Sequence, residues 1–379
     1  MDRCSVPAHA RPPGQLYDEH MTASPRFGAS RIDGLDVARA LAVLGMVAAH
    51  IGNSGRRGPA HGWGWLWIAD GRPSALFAVL AGVSMSLMAV RAVHRVGAAH
   101  RVEALRHTRI RIIARGLILI VVGYLLTALD TPVLIILANL GVMFVLGSTV
   151  LGWRARSLAL AAVVPLTAGW FVMETTGAQT WPHVPVVGVL WSEGYPVTSW
   201  MSYVLAGMAM GRLALTSRRI QALVATAGLS LAAVAYSLGP MLDGTGLDPA
   251  NMPGMVEWAS VEAHSYTPFE MFGNLGVAMA VIAMCVAVTP YLRPSLWPLL
   301  ATGSMAFTVY VIQILVIAAA GYEVVYIPSN ITMVVLCAAL VGFASLWRWH
   351  AGQGPLERAM TRASSAAADA VTSPAVRGD

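Results

Sequence analysis

Runs of about twenty apolar residues recur along the chain, and this repetition constrains the fold more than any other feature. A bilayer core about 30 Å thick is crossed by about 20 helical residues, since each adds about 1.5 Å of rise. Ten such runs are read at 35–53, 73–92, 110–129, 132–152, 157–173, 197–215, 220–241, 268–290, 297–320 and 329–349. Barrel strands need only about ten residues, so runs of this length specify helices. Composition agrees: 56% of the 379 residues are hydrophobic and 12% are charged, about half the charged share of a soluble domain. Too few charges remain to cover a water-facing surface. The expected fold is all-α, a polytopic membrane protein of about ten transmembrane helices. Pro132, Pro196, Pro268, Pro298 and Pro328 stand at span starts, where a missing N–H costs little, and Pro165 inside a span predicts a kink.

The net charge of +6 is carried entirely by arginine on the basic side, with no lysine available for Schiff-base chemistry. The arginines do not form a nucleic-acid footprint. They cluster in alternate short loops: Arg91, Arg95, Arg101, Arg106 and Arg109, then Arg154 and Arg156, then Arg218 and Arg219, then Arg293. Loops of the other parity carry Asp130, Glu174, Glu193, Asp243, Asp248, Glu257, Glu262 and Glu323. By the positive-inside rule the arginine loops and both termini face the cytoplasm of a plasma-membrane protein surrounded by lipid. Residues 1–30 and 351–379 are expected to be disordered cytoplasmic tails around a transmembrane domain at 31–350. Arg56, Arg57 and Arg72, in the first outer loop, oppose the rule and call for another role. Cys4, Cys285 and Cys337 lack metal-ligand spacing, so no metal is expected. Gly207 and Gly211 have the GxxxG spacing that permits close helix packing, within the chain or in a homodimer.

The first run carries three polar groups, Asp36, Arg39 and His50. At 100° per residue, eleven steps bring Arg39 and His50 within about 20° of one another, and Asp36 lies about 60° from Arg39. All three share one face, with Arg39 and His50 separated by about 16 Å of rise. Ionisable groups inside a membrane are costly and face cavities or one another. The plain alternative is an Asp36–Arg39 clamp with a packed histidine. The following stretch, His61-Gly-Trp-Gly-Trp-Leu-Trp-Ile-Ala-Asp70-Gly-Arg-Pro, holds a second histidine and a carboxylate able to orient an imidazole or to pair with Arg72.

Leu35, Asp36, Arg39 and His50 resemble the L-D-x-x-R opening of the acyltransferase-3 family, with its histidine eleven residues after the arginine. The run from Asp36 to Ser84 is more similar to the bacterial DUF418 proteins and the heparan-alpha-glucosaminide N-acetyltransferase group. His61 stands eleven residues after His50, where that group has a catalytic histidine, and Ala81-Gly-Val-Ser84 resembles its second helix. Leu137-Ala-Asn139-Leu-Gly-Val, Tyr195-Pro-Val-Thr-Ser-Trp200 with Leu205-Ala-Gly-Met-Ala-Met-Gly-Arg212, and Gly303-Ser-Met-Ala-Phe-Thr-Val-Tyr-Val-Ile-Gln313 resemble later motifs, so the likeness runs from residue 31 to about 320. The Arg-containing loop 53–60 departs from the N-acetyltransferases, which argues against a heparan acceptor.

The resemblance implies an acyltransferase that moves an acyl group, acetyl in the first instance, from cytoplasmic acyl-CoA to a hydroxyl or amine on a cell-envelope glycan, lipid or exported molecule. In that scheme His61 is the general base or acyl-carrying nucleophile, His50 relays the proton and Asp70 orients the imidazole. Arg39, paired with Asp36, joins Arg115 and its neighbours Arg109 and Arg111 in holding the donor's phosphates, since guanidinium forks match phosphate geometry. Arg72, Asn139 and Gln313 are placed at the substrate. The competing reading is a permease or lipid-handling protein whose buried Asp, Arg and His bind without reacting.

Overall fold

A computed structural model of the chain describes residues 31–55, 62–175, 190, 194–243 and 257–372. Regular structure among them is helical, with no strand. The helices are α1 (Asp33–Ile51), α2 (Arg72–Val96), α3 (Arg101–Thr127), α4 (Leu137–Thr149), α5 (Ala155–Thr175), α6 (Val197–Met210), α7 (Arg218–Asp243), α8 (Pro268–Leu292), α9 (Trp297–Ser304), α10 (Ala306–Ala320), α11 (Glu323–Tyr326), α12 (Asn330–Ala351) and α13 (Pro355–Thr372). Seven described helices are long and apolar enough to cross a membrane, and eight if the bent pair α9 and α10 is one span. The protein is a polytopic all-α membrane protein. The other two expected runs fold as shorter helices, α4 with 13 residues and α6 with 14.

α1 lies at the centre, packed against α2, α8, α9 and α12. Small and branched residues make this possible: Ala38, Ala40, Ala42, Val43 and Val47 are fully buried. Glycine allows the closest approaches. A Cβ on Gly82 of α2 would strike the Val204 carbonyl of α6, and one on Gly207 would strike the Val79 carbonyl, so these helices cross almost backbone to backbone. Gly211 meets Ser86 and the Val83 carbonyl of the same helix, which accounts for the GxxxG spacing as packing within the chain. A Cβ on Gly303 would overlap the Asp36 carbonyl of α1, just before the 82° break between α9 and α10.

The C-terminal stretch departs from the expected tail. α13 packs against α3 and α10. Its buried Ser364 and Ala368 share a face four residues apart, and its polar groups find partners: Glu357 on Thr308, Ser364 on Arg115, and Asp369 with His107 at 3.0 Å. Charged and alanine-rich composition masked this helical period. The expected N-terminal tail, 1–30, lies outside the described residues.

Candidate functional site

The C-terminal end of α1 and the N-terminal ends of α2, α6 and α8 converge on two adjoining cavities. The larger, about 550 Å³, is lined by Trp67, Asp70, Arg72, Tyr236, Pro240, Val261, Glu262 and Ala263. The smaller, about 180 Å³, is lined by His50, Asp70, Ser74, Tyr195, His264 and apolar neighbours including Pro132 and Val325. Asp70 belongs to both walls. It precedes Gly71, whose φ of 74° turns the chain into α2 at Arg72-Pro73. The Asp70–Arg72 ion pair that the sequence left open is absent among the described residues. Arg72 donates instead to the Trp67 carbonyl at 3.0 Å and the Asp70 carbonyl at 3.4 Å. Its guanidinium stacks on Trp67 and Tyr236, 4.8 and 4.6 Å from the ring centres.

The far wall is a short strained turn. His264 and Tyr266 adopt φ of 66° and 55°, a left-handed region uncommon for bulky residues, at a cost of about 1–3 kcal/mol each. One buried carboxylate holds it. Glu270, 3% exposed, accepts from the backbone N–H of His264 at 2.9 Å and of Tyr266 at 2.7 Å. It also accepts from Ser265 Oγ and Asn274 Nδ2, each at 3.2 Å. Thr267 caps α8 by accepting from the Glu270 N–H at 3.2 Å, so Thr267-Pro-Phe-Glu270 begins as a capping box. The glutamate then reaches further back than usual, to the turn before the cap.

Tyr195 bridges the walls. Its hydroxyl lies 3.3 Å from Ser74 Oγ, and its ring meets those of Trp200 and His264 edge-on. Burial pushes its phenol above the ordinary value, against the smaller opposing pull of the Ser74 bond, so it serves as a neutral hydrogen-bonding group. Asn139, buried at the start of α4, donates to the Tyr195 carbonyl at 2.8 Å. It therefore positions Tyr195. Gln313 is wholly buried on α10, and neither of its amide atoms has a hydrogen-bond partner among the described residues. A buried amide left in that state costs about 1–3 kcal/mol.

His61 lies outside the described residues, as do Arg56 and Arg57. The flanks of its segment are pinned: Trp63 N–H donates to the Asn53 carbonyl at 2.8 Å, and Asn330 holds Asn53 through both backbone groups at 2.8 and 3.0 Å.

The remaining predicted residues gather at the opposite end of α1. Arg39 donates to Asp36 at 2.6 Å and to Ser84 Oγ of α2 at 2.7 Å. Arg115 donates to Met88 Sδ at 3.3 Å, and to Ser364 and Thr361 of α13 at 3.3 and 3.5 Å. Ser84 and Met88 are one turn apart on α2, so arginines from α1 and α3 meet on one face of it. Arg39 thus pairs with Asp36, Arg115 binds α2 one turn further on, and His50 and Asp70 line one cavity at the other end. Sequence reasoning missed His264, Glu270 and Asn274. A signal existed, since Glu270 is the lone carboxylate of the 268–290 run and sits three residues after a threonine.

Apolar helices enclose two adjoining polar cavities at one end of α1 and hold Arg39 and Arg115 at the other, the arrangement of a polytopic membrane protein with polar sites inside its bundle. The family model described as heparan-alpha-glucosaminide N-acetyltransferase, catalytic, matches residues 31–240, more than half of the chain, and the chain belongs to this family. A model for a protein of unknown function, DUF418, matches residues 245–366. Comparison with curated proteins gives no match. The smaller cavity is built across the two matched regions: His50, Asp70, Ser74 and Tyr195 fall in the first, and His264 and Val325 in the second.

Proposed function

We propose that the protein transfers an acetyl group from acetyl-CoA to a hydroxyl or amine acceptor, carried by a cell-envelope glycan, lipid or exported small molecule. The observation that carries this reading is the cavity shared by His50 and Asp70, in a chain of a membrane acetyltransferase family. The donor's phosphates take the arginine end, at Arg39, with its partner Asp36, and at Arg115. Arg39 and His50 are eleven residues apart on α1, about 16 Å, a gap for the extended thioester arm of CoA to bridge. The arginine end faces the cytoplasm of the plasma membrane, consistent with the alternation of loop charge.

The larger cavity suits the acceptor. Trp67 and Tyr236 offer apolar faces, and Asp70, Glu262 and Arg72 offer polar edges, a combination that binds polyhydroxylated molecules. His61 is the general base or transient acyl carrier, His50 relays the proton, and Asp70 stabilises the charged imidazole. Asn139 acts through Tyr195, and the amide of Gln313, without a partner among the described residues, supplies hydrogen bonds to the donor arm.

The test is incubation of the protein in nanodiscs with radiolabelled acetyl-CoA, alongside His61→Ala. The expected result is label on the wild-type protein or released as acetate, and its loss in the variant. Absence of both CoA binding and turnover in the wild type would return the protein to the permease reading.

A further inference from the structure

The wall contributed by the second half of the chain holds an imidazole that this mechanism leaves unused. His264 lines the smaller cavity beside His50, Asp70 and Ser74. Its Nδ1 lies 3.1 Å from the Gly194 carbonyl, which can only accept, so Nδ1 carries the proton and the lone pair is on Nε2. The Tyr266 hydroxyl completes this arrangement, donating to the same carbonyl at 3.0 Å and lying 3.3 Å from Nδ1. A carbonyl that fixes the tautomer of a histidine in a cavity is the usual means of presenting a basic nitrogen. The backbone is committed to the same end. Packing alone would not select a left-handed conformation at both His264 and Tyr266, and the Glu270 carboxylate grips the N–H of each.

We propose that His264 is a further catalytic histidine of the acetyl-transfer site, taking over from His61 the role of the base that removes the acceptor's proton, and that Glu270 is the residue that positions it. The proposal rests on the acetyltransferase reading and assigns the acceptor side of the reaction to the second half of the chain. Nε2 removes the proton from the acceptor hydroxyl or amine as its oxygen or nitrogen bonds to the thioester carbonyl carbon. The carbon–sulfur bond then breaks with its electron pair on sulfur. The proton passes from the imidazolium to the departing thiolate, giving acetylated acceptor and free CoA.

The experiment uses full-length protein in nanodiscs, labelled acetyl-CoA as donor, and D-glucosamine and water as acceptor probes. His264→Gly is the informative variant, because glycine takes a φ of 66° without strain and leaves room for a free imidazole. Transfer is expected to fall about 10²–10⁴-fold, with acetyl-CoA binding retained and the rate partly restored by added imidazole. Glu270→Gln keeps one acceptor oxygen for two backbone donors and is expected to lower kcat without changing KM for acetyl-CoA. A His264→Gly protein that works at the wild-type rate, or whose loss imidazole does not relieve, overturns the catalytic assignment; an unchanged kcat in Glu270→Gln overturns the positioning role. A wild type that neither binds acetyl-CoA nor turns it over with either probe overturns the acetyltransferase reading itself, and the role of His264 with it.

Discussion

Each end of the bundle is organised by carboxylates, but in different ways. At the cavity end Glu270 accepts, among the described residues, four hydrogen bonds, two from strained backbone and none from a cation. At the arginine end the work is divided. Asp36 pairs with Arg39, and Glu357 of α13 caps the broken helix α10 by accepting from the Thr308 N–H at 3.0 Å and its hydroxyl at 2.6 Å. One end is a formed pocket whose shape depends on a single residue. The other is a set of separable contacts around Arg39 and Arg115. The difference fits the proposed reaction, in which reacting groups are held still at one end and a large charged donor is admitted and released at the other.

The largest effect on stability is expected from Glu270→Ala. It strands two buried backbone donors in a conformation they would not otherwise hold, together with the Asn274 amide, and the loss should reach about 3–5 kcal/mol. Asp36→Ala should cost less, about 1–3 kcal/mol, because Arg39 keeps Ser84 and its side chain is 26% exposed to solvent that can rehydrate it. Thermal unfolding of the two variants in nanodiscs ranks them. If Asp36→Ala is the more damaging, the cavity end is not the part of the molecule that depends on one group, and the contrast fails.

Much of the bundle was legible from hydropathy, since a twenty-residue apolar run has few alternatives in a bilayer. Each expected span contains a helix, although the runs 132–152 and 197–215 are helical over only Leu137–Thr149 and Val197–Met210. The Asp36–Arg39 and His50–Asp70 associations were also within reach, because they follow from helical spacing and from residues close in sequence. Other features were not. The Asn139 side chain at the start of α4 is tied to the Tyr195 carbonyl, a residue 56 positions on, and the helicity of 355–372 depends on α3 and α10 offering Arg115 and Thr308 to its polar groups. His264 reaches the cavity through a turn set by a carboxylate six residues on and a carbonyl seventy residues back. No local period reports such a turn. The acidic residue in the apolar run was the one visible trace of it.

The smallest expected effect tests whether the two ends are independent. Glu357→Gln keeps an acceptor for either the Thr308 N–H or its hydroxyl, and removes the other hydrogen bond together with the charge at the N-terminus of α10. Such a charge is worth about 0.3–1 kcal/mol beside a helix dipole. The loss should loosen α13 while Arg115 still holds it through Thr361 and Ser364. Hydrogen exchange should therefore quicken along 355–372 and stay unchanged at 264–266, where Glu270 provides its own anchoring. Faster exchange at 264–266 in this variant would mean that the α10 break transmits strain along the bundle. The pocket would then be sensitive to how α13 is seated, and the division into a rigid end and an exchangeable one would have to be given up.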